Sequence, residues 1–216
     1  MNSIIENTAL WVNKQLENEG TGHDWYHIYR VTKMAKNIAI EENADIFIVL
    51  MAALLHDLAD DKIVENEKEG IKNIISYLEN QGIEQEKISH IVNIIQTISF
   101  KGGKGEELHS LEARVVQDAD RLDAIGAIGI ARTFQYGGAR NRPIYDHRLP
   151  VRQDMSLEEY RNGKSSSIHH FFEKLLLLKD MMNTNTAKTI AKRRHDILVH
   201  YLNEFFDEWG VPDEEI

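Results

Sequence analysis

The chain has 216 residues and a formal charge of −10 at pH 7, with 42% hydrophobic and 28% charged residues. This length is enough for one well-buried core, and the composition is that of a globular protein rather than a disordered one. The negative charge argues against non-specific binding to nucleic acid or anionic lipid, while the lack of cysteine excludes disulfides and zinc–thiolate sites. Any metal must therefore be held by nitrogen and oxygen ligands.

The first half of the chain predicts a series of helices, because apolar residues recur at three- and four-residue intervals. Helices are expected over residues 4–19, from an N-cap at Asp24, over 44–61, over 66–81 and over 84–99, with a flexible glycine loop at 100–106. The third of these segments, residues 44–61, is apolar all round for about three turns, which is typical of a helix buried at the centre of a bundle. Its longest apolar run extends from Ile46 to Leu55. It is too short to cross a bilayer, and the N-terminal segment lacks a signal-peptide core, so we expect a cytoplasmic protein with no membrane partner.

The second half predicts one helix from His109 to Tyr136, an irregular segment over 136–154 and two further helices over 166–182 and 184–209. No strand, repeat or linker is visible. The sequence therefore predicts an all-α, single-domain helical bundle spanning residues 1–216. Aromatic residues near its end, such as Tyr201 and Trp209, either cover the core or form a dimer face, which leaves the oligomeric state open.

The pair His56–Asp57 ends the most apolar predicted helix of the chain. Burying a carboxylate there is costly unless it is paired or bound to a metal, and an imidazole beside a carboxylate suits a divalent ion. Further polar residues interrupt apolar helices at His27 and in the run VVQDADRLDAIG. Each residue taken alone is at least as readily a hydrogen-bonded core or helix-end residue, but together they would form a site of two histidines and two carboxylates.

The fragments HIYRV (His27), LLHDLADD (His56 and Asp57) and DADRLDAIG (Asp120) occur in this order. The sequence thereby resembles the HD-domain metal-dependent phosphohydrolases, and later fragments resemble the tail of their small stand-alone bacterial group. The resemblance implies an HD core over about residues 22–135, on which C-terminal helices over about residues 156–210 pack.

This resemblance implies that one divalent ion is held by His27, His56, Asp57 and Asp120. The ligand set does not distinguish Mn, Co, Ni, Fe, Zn and Mg. Two alternatives stay open. His23 lies on the same helical face as His27, although only His27 has the family's spacing to an Arg-Val pair; Asp118 competes with Asp120, although only Asp120 directly precedes a basic residue.

The resemblance also implies an acidic residue three positions after Asp57 that orients water or transfers a proton. That residue is Asp60, followed by Asp61. The predicted catalytic residues are thus Asp57, Asp60 and Asp61. A simple role for Asp60 and Asp61 as solvated residues at a helix end is equally open.

An anionic substrate requires positive groups, and residues 136–154 form a basic island that contains Arg140, Arg142, Arg148 and Arg152. Lys101 in the glycine loop and Arg121 beside Asp120 are further candidates. The predicted substrate contacts are Lys101, Arg121, Arg140 and Arg142. For each of them, an ordinary surface role is at least as well supported by the sequence alone.

The resemblance implies a phosphohydrolase that acts on a small phosphorylated substrate, by attack of a metal-activated water on phosphorus. The leading prediction is a nucleoside triphosphate pyrophosphohydrolase, with a nucleotide monophosphatase or cyclic-nucleotide phosphodiesterase as alternatives. Two other classes are a non-catalytic nucleotide-binding module and a di-iron oxygenase. The last requires extra histidines between Asp57 and Asp120, where only His90 and His109 occur.

Overall fold

The computed structural model describes residues 2–17, 24–59, 66–98, 107–153, 155–156, 158–159 and 163–210. Within these ranges the regular elements are helices and no strand occurs, which confirms the all-α prediction. The chain forms two compact units, Met1–Asp120 with Met155–Gly163 and Arg121–Asp154 with Lys164–Ile216. The expectation of a single domain over residues 1–216 stays a prediction. No helix in the described ranges has the length and apolarity needed to span a membrane.

The first unit is built around one apolar helix. Its elements are α1 (Asn2–Gln15), α2 (Trp25–Glu42), α3 (Ile46–Leu55), α4 (Glu67–Asn80), α5 (Gln85–Thr97) and most of α6 (Leu111–Asp123). Helix α3 packs against α1, α2 and α5, and all of its residues after Ile46 are buried. The predicted central helix is confirmed, although it ends at Leu55 and residues 56–59 form turns. Its C-terminal end, which leads into His56, is buried in the core of this unit.

Two aspartates set where the site-bearing helices begin. Asp24 caps α2 by accepting a hydrogen bond from the His27 amide at 2.9 Å, as the sequence predicted. Asp45 caps α3, accepting from the amides of Phe47 and Ile48 at 2.8 and 3.2 Å. Because each cap satisfies otherwise unpaired amides in the first turn, it fixes the register of its helix.

Helix α6 is tied to α3 and α5 by two polar side chains. Glu112 accepts a hydrogen bond from the Asp45 amide at 3.0 Å, and its second oxygen lies 3.7 Å from His90 Nε2. Further along, the Gln117 amide donates to the Ile98 carbonyl at 3.3 Å. These contacts fix the part of α6 that carries Asp120.

The second unit contains α7 (Gly126–Ala139), α8 (Ser167–Glu173), a 3₁₀ helix (Leu175–Met181) and α9 (Asn185–Trp209). Helix α9 packs against α7 and the 3₁₀ helix, and α8 packs against the same two elements. The ring of Tyr145 lies 5.4–6.1 Å from the rings of Phe205, Phe206 and Trp209. These terminal aromatic residues therefore pack within the second unit.

Two predicted helices are wrong in their extent. The single helix expected over 109–136 is divided into α6 and α7, because Gly126 adopts a left-handed conformation with φ +76°. The helix expected over 166–182 keeps α-helical geometry only as far as Glu173. Lys174, with φ −143° and ψ −59°, interrupts it before the 3₁₀ helix begins.

Replacing Gly126 with alanine is expected to lower the free energy of unfolding by about 1–2 kcal/mol, because a left-handed conformation is unfavourable for residues with a Cβ. A Cβ at this position would also lie 3.1 Å from Arg194 Cβ and Cγ. The matched control is Gly138→Ala, where a Cβ would meet nothing within 4 Å. Urea denaturation should show a loss for Gly126→Ala and none for Gly138→Ala; equal effects would contradict the backbone explanation.

Candidate metal centre

The imidazole of His56 is oriented by the end of helix α3. His56 is the C-cap of this helix, and its Nδ1 lies 2.9 Å from the Ala53 carbonyl oxygen. Since a carbonyl oxygen only accepts, Nδ1 carries the proton of this hydrogen bond, which leaves Nε2 as the ring nitrogen that can bind a cation. This Nε2 is buried and has no hydrogen-bond partner in the described part of the chain. It is thus placed to bind a cation.

Side chains from α2, from the end of α3 and from α6 come together around this nitrogen. Asp57 Oδ1 lies 3.3 Å from His56 Nε2, and the other oxygen of the same carboxylate lies 3.3 Å from His27 Nε2. From α6, Asp120 Oδ1 lies 3.5 Å from His27 Nε2 and 4.0 Å from His56 Nε2. All four predicted metal ligands are therefore brought together within the first unit.

The donor set and its spacing fit a divalent ion. One ligand atom from each of His27, His56 and Asp57 lies within 4.8 Å of the other two. Metal–ligand bonds of about 2.0–2.2 Å place neighbouring ligand atoms roughly 3 to 4.4 Å apart. A buried cluster of nitrogen lone pairs and carboxylate oxygens is costly without a cation to attract them.

The site is deeply buried on one side and accessible on the other. The side chains of His27 and Asp57 are 0% and 6% exposed, whereas that of Asp120 is 37% exposed. A bound ion would be held from the interior by the first two residues. Solvent and a ligand would approach beside Asp120.

The geometry favours Asp120 over Asp118, since Asp120 contacts both histidines and Asp118 is fully buried. His23, the alternative to His27, lies outside the described residues. Asp60, Asp61 and Lys101 lie outside them too, so their predicted roles stay predictions.

Asp120→Asn is expected to weaken Mn²⁺ binding by at least about tenfold, because a neutral amide replaces an ionised carboxylate ligand. Mutation of a residue that only hydrogen-bonds to a metal ligand already lowers metal affinity by about 10–100-fold, and loss of a ligand should matter at least as much. Asp118→Asn is the matched control and should retain near wild-type affinity once its fold is verified by circular dichroism. Isothermal titration with Mn²⁺ measures both variants. A larger loss in Asp118→Asn than in Asp120→Asn would reverse the ligand assignment.

The predicted substrate-binding arginines lie in the second unit. The Arg121 guanidinium donates to the Met181 carbonyl, while the guanidinium carbons of Arg140 and Arg142 lie 5.5 and 5.4 Å from the centre of the Tyr136 ring. Their roles in substrate binding stay predictions. The basic island is partly neutralised, because Arg148 pairs with Asp146 and Arg152 pairs with Glu173.

Two groups that support the site were not identified from the sequence. The Ala53 carbonyl orients His56, and Glu112 anchors the helix that carries Asp120. A backbone carbonyl leaves no signature in a sequence, and Glu112 resembles any acid in the first turn of an amphipathic helix. Only tertiary structure reveals either contact.

A model of the HD domain matches residues 24–125, which include all four converging side chains. The YpgQ protein of Bacillus subtilis is 39% identical over 209 residues, which cover 96% of this chain and 93% of YpgQ. The chain belongs to the HD-domain family. Its predicted resemblance to that family is thus confirmed.

Two solved structures of HD-family relatives resemble this chain over nearly its full length. An HD-superfamily hydrolase from Bacillus thuringiensis is 44% identical, with a TM-score of 0.77 and coverage of 98% of this chain and 99% of that one. B. subtilis YpgQ in complex with ADP is 37% identical, with a TM-score of 0.77 and coverage of 97% and 98%. The fold is accordingly that of the HD-superfamily hydrolases.

Proposed function

We propose that this protein is a metal-dependent phosphohydrolase that acts on nucleotides and that its leading reaction converts a nucleoside triphosphate to a monophosphate and pyrophosphate. The observation that carries the proposal is the placement of Asp57, whose two oxygens each lie 3.3 Å from a histidine Nε2. Such a carboxylate between two imidazoles is suited to holding a divalent ion in a site that is open on one side.

The residues of the chain have separate tasks in this proposal. His27, His56, Asp57 and Asp120 would hold the ion, with His56 kept in one orientation by the Ala53 carbonyl. A divalent ion at such a site acidifies water and neutralises charge on a phosphoryl oxygen. Asp60 and Asp61 are proposed to accept or transfer the proton of the attacking water, and Lys101, Arg121, Arg140 and Arg142 to bind phosphate oxygens.

The nucleotide assignment is supported by a relative rather than by a contact within this chain. YpgQ, 37% identical over nearly the full length, was crystallised with ADP. An ADP-binding relative favours a substrate with a base, a sugar and a phosphate chain. A nucleotide monophosphatase, a cyclic-nucleotide phosphodiesterase and a non-catalytic nucleotide-binding module are the alternatives that the experiment must separate.

The test is a screen for release of phosphate and pyrophosphate. Metal-stripped protein is reloaded separately with Mn²⁺, Co²⁺, Ni²⁺ or Mg²⁺ and incubated with nucleoside mono-, di-, tri- and cyclic phosphates. Metal-dependent pyrophosphate release from triphosphates would support the leading reaction. Release of phosphate from monophosphates, or opening of cyclic nucleotides, would support the corresponding alternative instead.

A negative result is informative when metal binding has been verified in the same sample. Protein that binds the ion and a nucleotide but releases no product from any substrate would contradict hydrolysis and indicate a binding module. An oxo-bridged absorption band after anaerobic iron loading and exposure to oxygen would indicate a di-iron oxygenase. Among the described residues, His90 lies beside Glu112 and is not part of the metal cluster, which disfavours that alternative.

A further inference from the structure

The longest helix among the described residues, α9, carries a row of exposed polar side chains along one side. The residues of this row are four positions apart and are Lys188, Lys192, Asp196, His200, Glu204 and Glu208. Residues at this spacing are neighbours on the surface of an α-helix and form one continuous ridge. We call this row the α9 ridge, and at 1.5 Å per residue it extends over about 30 Å.

The charges of the α9 ridge are divided between its two halves. The first half contains two lysines and then Asp196, and the second half contains His200 and then two glutamates. A two-fold axis that crosses the helix level with Leu198 pairs Lys188 with Glu208, Lys192 with Glu204, and Asp196 with His200. Each lysine then faces a carboxylate, and an imidazole N–H can donate to the remaining aspartate. The ridge is thus complementary to a second copy of itself in the antiparallel orientation, whereas the parallel orientation would place like charges together.

An open groove runs beside the middle of the α9 ridge. It has a volume of about 440 Å³ and is lined by Thr189, Lys192, Arg193, Asp196, Ile197 and His200. These residues belong to the ridge and to the row next to it on the same helix. Two helices commonly pack by placing the ridge of one in the groove between two such rows of the other, with axes crossing at about 50°. The groove therefore lies where the ridge of a second α9 would pack, and the 38% exposed Ile197 would give that contact an apolar component.

Contacts within the described part of the chain neutralise little of the α9 ridge. The one ion-pair contact of its six residues there joins His200 Nδ1 and Glu204 Oε1 at 3.9 Å. These two side chains are 78% and 63% exposed. A long contact between solvated groups contributes little to stability and is readily exchanged for another partner. The charges of the ridge are consequently open to a partner of opposite charge.

We propose that α9 forms a two-fold symmetric interface with α9 of a second copy of this chain and that the two helices pack antiparallel. In such an interface each pair of residues occurs twice, so the lysine–glutamate pairs act together. Exposed ion pairs are individually weak and the contact of one helix pair is small, so we expect a dimer that dissociates on dilution. This interface lies outside the proposed function, because no residue of the ridge belongs to the candidate metal centre or to the predicted substrate contacts.

The experiment is a charge exchange, followed by sedimentation velocity of the full-length protein over a range of concentrations. Lys192→Glu and Glu204→Lys should each raise the dimer dissociation constant by at least about tenfold, because each creates two like-charge pairs across the interface. The double variant restores both opposite-charge pairs and the wild-type net charge, so its dissociation constant should return to within about threefold of the wild-type value. Lys14→Glu is the matched control, since it makes the same change of charge at an exposed position of α1 and should leave the dimer unchanged.

Weaker association in both single variants, with recovery in the double variant, would support the antiparallel interface. A wild-type protein that stays monomeric up to about 0.1 mM would overturn it. A double variant as weak as the single ones would also overturn it, as would an equal loss in Lys14→Glu.

Sodium chloride provides a second measurement, on the unaltered protein. Raising its concentration from about 0.05 M to about 0.5 M should weaken the wild-type dimer, because salt screens exposed charges. A dimer that does not respond to salt would contradict an interface formed by the α9 ridge. Sedimentation requires neither metal nor turnover, so failure here leaves the proposed hydrolysis to its own test.

Discussion

Asp57→Ala should abolish metal-dependent product release and weaken Mn²⁺ binding by at least about 100-fold. Mutation of a residue that only supports a metal ligand lowers metal affinity by about 10–100-fold. Asp57 should matter at least as much, because its two oxygens each lie 3.3 Å from a histidine Nε2. Loss of this carboxylate leaves the imidazoles of His27 and His56 with Asp120, the most exposed member of the set. Three ligands remain, and the one carboxylate among them is the partly exposed Asp120, so the ion should bind much more weakly.

The effect of Mn²⁺ on the melting temperature and a control variant separate the loss of metal binding from unfolding. Mn²⁺ should raise the melting temperature of the wild-type protein, because a ligand that binds only the folded state stabilises it, and this increase should vanish in Asp57→Ala. Asp180→Ala is the control, since Asp180 is 80% exposed and outside the metal cluster. Full activity in Asp57→Ala, or an unchanged increase in melting temperature, would contradict its assignment as a ligand.

Arg152→Ala should lower the free energy of unfolding by about 3 kcal/mol at pH 7, near the lower end for breaking a buried ion pair. The Glu173 side chain is 1% exposed and that of Arg152 is 17% exposed, so the carboxylate would keep its charge in a poorly solvated position. Urea denaturation followed by circular dichroism measures the loss. Arg148→Ala, which breaks the exposed pair with Asp146, should change the free energy by less than about 0.5 kcal/mol.

The effect of Arg152→Ala should also depend on pH. Burial alone would raise the pKa of Glu173, but hydrogen bonds and charge from Arg152 outweigh burial and hold it below its ordinary value of 4.5. The ion pair therefore stabilises the fold above pH 4.5 and stops doing so as the pH falls through the lowered pKa. In Arg152→Ala, burial raises the pKa of Glu173, so this carboxylate becomes protonated at a higher pH than in the wild type. The difference in the free energy of unfolding between wild type and Arg152→Ala should become smaller as the pH falls from 7 to 4. A difference that does not change with pH would contradict the role of the Arg152–Glu173 ion pair.

The helices of the first unit could be predicted because their sequences are locally consistent. The apolar segment before His56 and the capping aspartate at position 24 each specify one structure, and both occur as predicted. The break at Lys174 could not be predicted, because the leucines and lysines around it are strong helix formers. Gly126 is one of several small residues in its segment, so the sequence did not single it out as the position of the break.

More of the candidate metal centre than of the substrate contacts could be predicted from the sequence. The order of the fragments that carry His27, His56, Asp57 and Asp120 resembles the HD-domain pattern, and this resemblance predicted that the four side chains converge. Arginine side chains are long, and their partners depend on which carboxylate, carbonyl or ring is nearby. Arg152, which pairs with Glu173, and Arg121, which donates to a carbonyl, could not be distinguished by sequence from arginines that bind phosphate.

The most direct test of the metal centre is anomalous diffraction from crystals of the protein grown with Mn²⁺. We expect one strong anomalous peak within about 2.3 Å of His27 Nε2, of His56 Nε2, and of one oxygen from each of Asp57 and Asp120. That result would place the ion between the carboxylate and the two imidazoles that lie 3.3 Å from it. A peak elsewhere, or no peak here at saturating Mn²⁺ with the two histidines well ordered, would contradict the assignment of these four residues as metal ligands.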